Sequence, residues 1–165
     1  MSDHYERLGL PRRFSIDPAA LEAAYLDRSR AVHPDFHHGS SGGEQAASEV
    51  LTAAVNEAYT TLKDPFRRAE HLLGLLGGPT ATEVKDIPPA FLMEMMELRE
   101  EIERADAAGQ TRHEGDAKNR LNTIFAGLVP LFEKAETTPA ARTAIRKELN
   151  AAKYLIGLLR DLRNA

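Results

Sequence analysis

Two residue types are missing from this 165-residue chain: it has no cysteine and no tryptophan. The lack of cysteine excludes disulfides, thiolate zinc sites, a cysteine nucleophile and direct thiolate ligation of an iron–sulfur cluster. Long apolar runs are also missing, and nothing approaches the roughly 20 residues that a helix needs to span a bilayer. Positive charge is not in excess either: 21 Lys and Arg face 25 Asp and Glu, for a net charge of −4. A chain of that balance has no basic field to draw in nucleic acid. The opening MSDHYERLGL has neither the basic nor the apolar region of a secretory signal, and Asp3 and Glu6 argue against a transit peptide. Together these absences lead to the expectation of a cytoplasmic protein with no membrane and no nucleic-acid partner.

What is present is helical. Hydrophobic residues at 42% and charged residues at 28% give a globular composition. Ala, Leu, Glu and Arg recur at helical spacing, and β-branched runs are rare, so the expected fold class is all-α. A short helix over 3–8 stops at Gly9 and Pro11. A second opens on Asp17 as N-cap and Pro18 at the first helical position. It presents Leu21, Tyr25 and Val32 near one face, and it ends at His33 because the residue before Pro34 is pushed out of the α region. Residues 35–43 read as a loop, with Gly39, Gly42 and Gly43 too flexible for a helix interior. A longer helix over 44–63 has Leu51, Val55, Ala58, Tyr59 and Leu62 as its apolar face. Asp64 and Pro65 repeat the start signal for a fourth helix that ends at Gly77.

Residues 77–89 hold two glycines and three prolines and make the best linker in the chain. Three long helical patterns follow, over 89–108, 113–136 and 139–163, with turns at Gly109 and at Thr137, Thr138 and Pro139. Connections this short favour antiparallel neighbours, hence a three-helix bundle. Pro130 is expected to kink the middle helix of the three. The expected organisation is two domains, 1–76 and 89–165, joined by 77–88, with no internal repeat.

Between the second and third helices lies RAVHPDFHHG, which gathers His33, Asp35, His37 and His38. A catalytic His–Asp couple needs side chains that meet and a nucleophile beside them. Here Pro34 separates the two, no cysteine exists, and Ser40 and Ser41 lie in a glycine-rich loop. For metal there are four candidate ligands, and His33 and His37 have the spacing of a zincin helix. Pro34 takes the segment out of helical conformation, however, and the zincin glutamate is absent. His37 and His38 read as solvated loop side chains.

The tripeptide itself has a sharper explanation. His33, Pro34 and Asp35 follow an amphipathic helix carrying Arg28 and Arg30 and precede a longer antiparallel partner, after a DHYERLGLP opening. That arrangement resembles a J-domain with its His-Pro-Asp signature, over residues 1 to about 76. The resemblance implies contact with a DnaK/HscA-type chaperone through His33, Pro34, Asp35, Arg30 and Arg28, accelerating the chaperone's ATP hydrolysis. The chain has no Walker-type glycine-rich loop of its own, and no enzymatic activity is expected of it. One departure is Phe36, which stands where many J-domains carry Lys or Arg.

The second informative stretch is FLMEMMELREEIE. At about 100° per residue, Phe91, Met95, Leu98 and Ile102 fall on one stripe that faces a bundle core. Leu92, Met93 and Met96 are left over, interleaved with Glu97, Arg99 and Glu100. An apolar patch with a charged rim is the mark of a protein-binding face, unless the surplus packs inside the fold. This stretch is similar to the corresponding segment of the HscB (Hsc-twenty) family, the J-proteins of iron–sulfur cluster assembly. DPFRRAEHLLGLLG likewise resembles that family's fourth J-domain helix. The match implies that Leu92, Met93, Met96, Glu97, Arg99 and Glu100 bind an IscU-type scaffold. Tyr154, in AKYLIGLL, matches an aromatic that completes the patch, with core packing as its other reading. No cofactor is implied, since the cluster's thiolates belong to the scaffold, and a monomer is expected. The cysteine-rich extension of eukaryotic members is absent, which favours a bacterial-type protein. Two other readings remain at this level: a general J-protein for unfolded clients, and a metal-dependent enzyme built on the 33–38 tract.

Overall fold

Capping chemistry decides where each helix begins in this computed structural model, which describes residues 2–33, 39 and 41–164. The helices are α1 (His4–Leu8), α2 (Pro18–Val32), α3 (Gly42–Lys63), α4 (Pro65–Leu75), α5 (Pro89–Arg104), α6 (Ala107–Ala135) and α7 (Pro139–Arg163). Among the described residues there is no strand; the fold is all-α. The chain divides into two compact units, Met1–Leu72 and Leu73–Ala165, and the division falls within α4.

In the first unit α2 and α3 form a hairpin that α1 packs across. Asp3 caps α1 by accepting from the Tyr5 and Glu6 amides, and Gly9 stops it at φ 69. A side chain at Gly9 would suffer the left-handed backbone and would stand 3.1 Å from Nη2 of Arg28. Tyr5, Leu8, Leu21, Val55, Ala58 and Leu62 are buried together as the core of this unit. The Tyr5 hydroxyl donates to the Arg13 carbonyl at 3.0 Å, and burial pushes its acidity well below that of a free phenol.

The third helix differs from the sequence expectation at both ends of the argument. It starts at Gly42, two residues early, because Ser41 and Glu44 close a reciprocal capping box that outweighs the flexibility of two glycines. Leu51, placed on the apolar face, is instead 52% exposed. α1 is only five residues long, about 7.5 Å of helix, and Leu51 lies two turns beyond Ala58.

In the second unit α6 and α7 form the main antiparallel pair, and α5 packs on them more sparingly. Its core joins Met95, Leu98 and Ile102 of α5 to Ala117 of α6 and Leu155, Leu158 and Leu159 of α7. Burying each of the larger aliphatic side chains contributes roughly 1.5–3 kcal/mol. The turn expected at Gly109 lies at Ala105 and Asp106, so α5 ends four residues early and α6 begins six residues early. Asp106 accepts from the Gly109 amide at 2.8 Å as the N-cap of α6. Gly109 is buried in the first turn of that helix, and a Cβ there would approach the Ala105 methyl to 2.9 Å. α6 runs on through Pro130, although the proline leaves the carbonyl four residues before it without a helical donor.

Residues 76–86 are strapped to α7. Arg142 Nη1 donates to the Leu76 carbonyl at 2.6 Å, and the Asn150 amide donates to the carbonyls of Val84 and Asp86 at 2.9 and 3.2 Å. Buried Arg146 orients that asparagine by donating Nε to its Oδ1 at 3.1 Å. Glycine and proline mark the turns of this segment, but its anchors lie 66 residues away on another helix.

Candidate functional site

Around the end of α2, backbone geometry does the positioning. His33 leaves the helix with φ −69 and ψ 134, the extended conformation that a following proline demands. Its amide still donates to the Ser29 carbonyl at 3.0 Å. The Val32 carbonyl, an orphan at the helix terminus, accepts from the Ser48 hydroxyl and from Thr52 Oγ1 at 3.3 Å. These two hydroxyls, one helical turn apart on α3, hold the point from which the His-Pro-Asp segment departs. Sequence reading passed over them, and their i,i+4 spacing opposite a predicted helix end was the available signal. Two turns further along the hairpin, Tyr25 stacks on Tyr59 with centroids 4.2 Å apart and donates to Asn56 at 2.8 Å.

Of the other residues singled out here, Arg30 is exposed and lies 4.0 Å from Asp27. Arg28 is also exposed, and its guanidinium lies beside Gly9 at the end of α1. Pro34, Asp35, Phe36, His37 and His38 lie outside the described residues. Among the described residues no three His, Asp or Glu side chains gather as a metal site. Nor is any helix there long and apolar enough to cross a membrane.

A histidine pair in the same unit was not foreseen. His4 and His71 bring their rings to 4.3 Å, and His71 Nε2 accepts from the His4 amide at 3.4 Å. Burial lowers the pKa of both below the usual imidazole value, and His4 Nδ1 is buried with no partner among the described residues. The pair joins α1 to α4.

On α5 the helical period divides the side chains cleanly. Met95 is fully buried, and Leu98 and Ile102 are buried beside it with Phe91 packed at the edge. Leu92, Met93 and Met96 are 36%, 64% and 63% exposed. Residues 93, 96, 97 and 100 share one face by their i,i+3 and i,i+4 spacing, with 92 and 99 on its flank. The charged members are partly tied down. Arg99 reaches Asp161 of α7 at 3.5 Å, and Glu100 reaches Arg104 at 3.1 Å. Glu97 is exposed between Met93 and Glu100. Tyr154 is half-buried, packed against the core cluster and edge-on to Phe91 at 6.3 Å and 84°. Chemically this is an apolar surface rimmed by both signs of charge. It holds nothing that resembles an acid–base or nucleophilic pair.

These two constellations coincide with two known domain types. A family profile described as DnaJ domain matches residues 3–71, and one described as HSCB C-terminal oligomerisation domain matches 87–163. The chain is 37% identical over 150 residues to the co-chaperone protein HscB homolog of an Azoarcus species, spanning 88% of this chain and 85% of that one. It is 42% identical over 125 residues to the HscB homolog of Ralstonia nicotianae, spanning 75% and 69%. Human co-chaperone protein HscB superposes with a TM-score of 0.86 at 27% identity, over 99% of this chain and 82% of the human one. Chaperone HscB from Vibrio cholerae superposes at 0.80 with 28% identity, over 99% and 96%. With a DnaJ-type first unit, an HscB-type second unit and relatives matched along most of its length, the chain belongs to the HscB family of co-chaperones.

Proposed function

We propose that this co-chaperone stimulates the ATPase of a DnaK/HscA-type chaperone and delivers to it an IscU-type iron–sulfur scaffold, for cluster transfer and protein maturation. It acts as an activator and a carrier, and the bond-breaking belongs to the chaperone. The observation that carries the reading is the division of α5. Leu92, Met93 and Met96 stand exposed while Met95, Leu98 and Ile102 of the same helix are used in the core, which leaves an apolar face open among the described residues.

In this reading His33, Pro34 and Asp35 form the chaperone contact. Proline fixes the backbone, and the flanking side chains present a nitrogen donor or acceptor and a carboxylate. Arg30, and less directly Arg28, face an acidic surface and chiefly speed and orient docking. Leu92, Met93 and Met96 supply the apolar centre of the scaffold contact, where methionine adapts to an irregular partner. Glu97, Arg99 and Glu100 form its charged rim, and Tyr154 supports its edge beside Phe91. Carrying both contacts on one chain raises the effective concentration of scaffold beside chaperone.

The test is direct binding of a folded IscU-type scaffold to the full chain by calorimetry. Leu92→Ala/Met96→Ala is expected to weaken binding by about 30-fold or more, as for residues central to an interface. Binding that survives the double substitution intact, or that follows unfolded clients and ignores the folded scaffold, would falsify the assignment of this face.

A further inference from the structure

Sulfur in this chain exists only as thioether, because there are four methionines and no cysteine. Three of the four occupy positions 93, 95 and 96 of α5, and burial separates them. Met95 is 0% exposed within the core cluster, whereas Met93 and Met96 lie open one turn apart on the face that also carries Leu92. An oxidant arriving from solvent therefore meets two sulfurs at the centre of the proposed docking patch, and core packing shields the third.

We propose that Met93 and Met96 form a reversible oxidation site that switches the α5 patch off as a docking surface. This rests on the scaffold-binding reading given above. Hydrogen peroxide is the oxidant: its O–O bond breaks, an S–O bond forms, the sulfur gives up two electrons and water leaves. The product sulfoxide is polar and accepts hydrogen bonds, where the thioether was apolar and flexible. The helix itself is left standing, because Met95, Leu98 and Ile102 keep the contacts that hold α5 to the bundle. Docking is what fails, since each sulfoxide would enter an apolar interface without a partner, costing on the order of tenfold in affinity. A methionine sulfoxide reductase, drawing two electrons from a dithiol, returns the thioether and the surface with it. Scaffold seated on the patch covers these sulfurs and slows their oxidation, because susceptibility follows exposure.

The experiment treats the full chain with dilute hydrogen peroxide and follows positions 93, 95 and 96 by tandem mass spectrometry. Met93 and Met96 are expected to gain one oxygen each well before Met95. Affinity for IscU-type scaffold is expected to fall at least about tenfold and to return after reductase treatment. Met93→Leu/Met96→Leu, compared only with itself before and after peroxide, is expected to show no change. The proposal is overturned if Met95 oxidises as fast as its neighbours, if the oxidised chain binds as tightly as the reduced one, or if the leucine variant loses affinity on treatment. An untreated chain that fails to bind scaffold would instead overturn the docking reading on which the switch depends. The two failures are distinguishable because the oxidation pattern is read with no scaffold present.

Discussion

At the end of α2 the proposed contact is built from backbone: a helix terminus pinned by the Ser48 and Thr52 hydroxyls, an extended His33, and a proline after it. On α5 the proposed contact is built from side chains that the core did not take, in a helix whose backbone is ordinary throughout. The first arrangement suits a contact that must present a few polar groups in one geometry. The second suits a partner that is gripped by area and shape. The contrast also predicts how each region tolerates change. A backbone-built site fails at one residue, whereas a side-chain patch fails by degrees.

The largest effect should follow from exchanging the damage between the two regions. His33→Gln is expected to abolish stimulation of the chaperone ATPase while leaving scaffold affinity within about twofold, since independent sites add. A His33→Gln chain that lost scaffold binding as well would break the separation. Within α5, neighbouring methionines should behave in opposite ways. Met95→Ala opens a cavity in the core and is expected to lower unfolding free energy by about 2–5 kcal/mol. Met96→Ala, on the exposed face, should stay within about 0.5 kcal/mol by the same denaturant titration.

A smaller effect is expected at the hairpin. Ser48→Ala leaves the Val32 carbonyl with Thr52 as its remaining hydroxyl donor and should cost about 0.5–1.5 kcal/mol. ATPase stimulation should fall along with that stability, because the same carbonyl marks the departure point of the signature. Unchanged stimulation in Ser48→Ala would show that the Val32 carbonyl does not govern the proposed contact.

The smallest effect is pH dependence of the first unit. His4 and His71 titrate below the usual imidazole value, chiefly because they are buried. Glu57 and Asp3 favour the charged form of His4 and Arg7 and Arg67 oppose it; for His71, His4 and Arg12 oppose it and Asp3 favours it. A depressed folded pKa means that the unfolded chain binds protons first as pH falls. The contribution is therefore fully present above about pH 6.5 and is lost as pH drops below it. The thermal midpoint should decline between about pH 7 and 5.5, and His71→Gln should flatten that decline. A midpoint indifferent to pH, or one that rises, would contradict the assignment.

Much of the fold was legible because local chemistry governed it. Asp17 with Pro18 set the start of α2, Pro34 its end, and Pro139 the start of α7, all near-neighbour effects. The α5 stripe was legible for a related reason, since a 3.6-residue period names its own core face. Reading failed where competing local signals had to be weighed. Gly42 and Gly43 read as loop and Gly109 as a turn, whereas the caps at Ser41 and Asp106 set where the helices begin. It also failed where the deciding partner was remote. Nothing near residue 84 or 86 announces Asn150, nothing near His4 announces His71, and nothing near Val32 announces Ser48. The candidate site residues that the sequence proposes are those defined by motif or period. Those it missed act through another element.

The most direct measurement is the steady-state ATPase rate of a DnaK/HscA-type chaperone with this protein and an IscU-type scaffold added separately and together. Synergy is predicted: the rate with both should exceed the sum of the separate stimulations. The synergy should disappear in His33→Gln and in Leu92→Ala/Met96→Ala alike, for different reasons. Merely additive rates, or synergy that persists in both variants, would contradict the account.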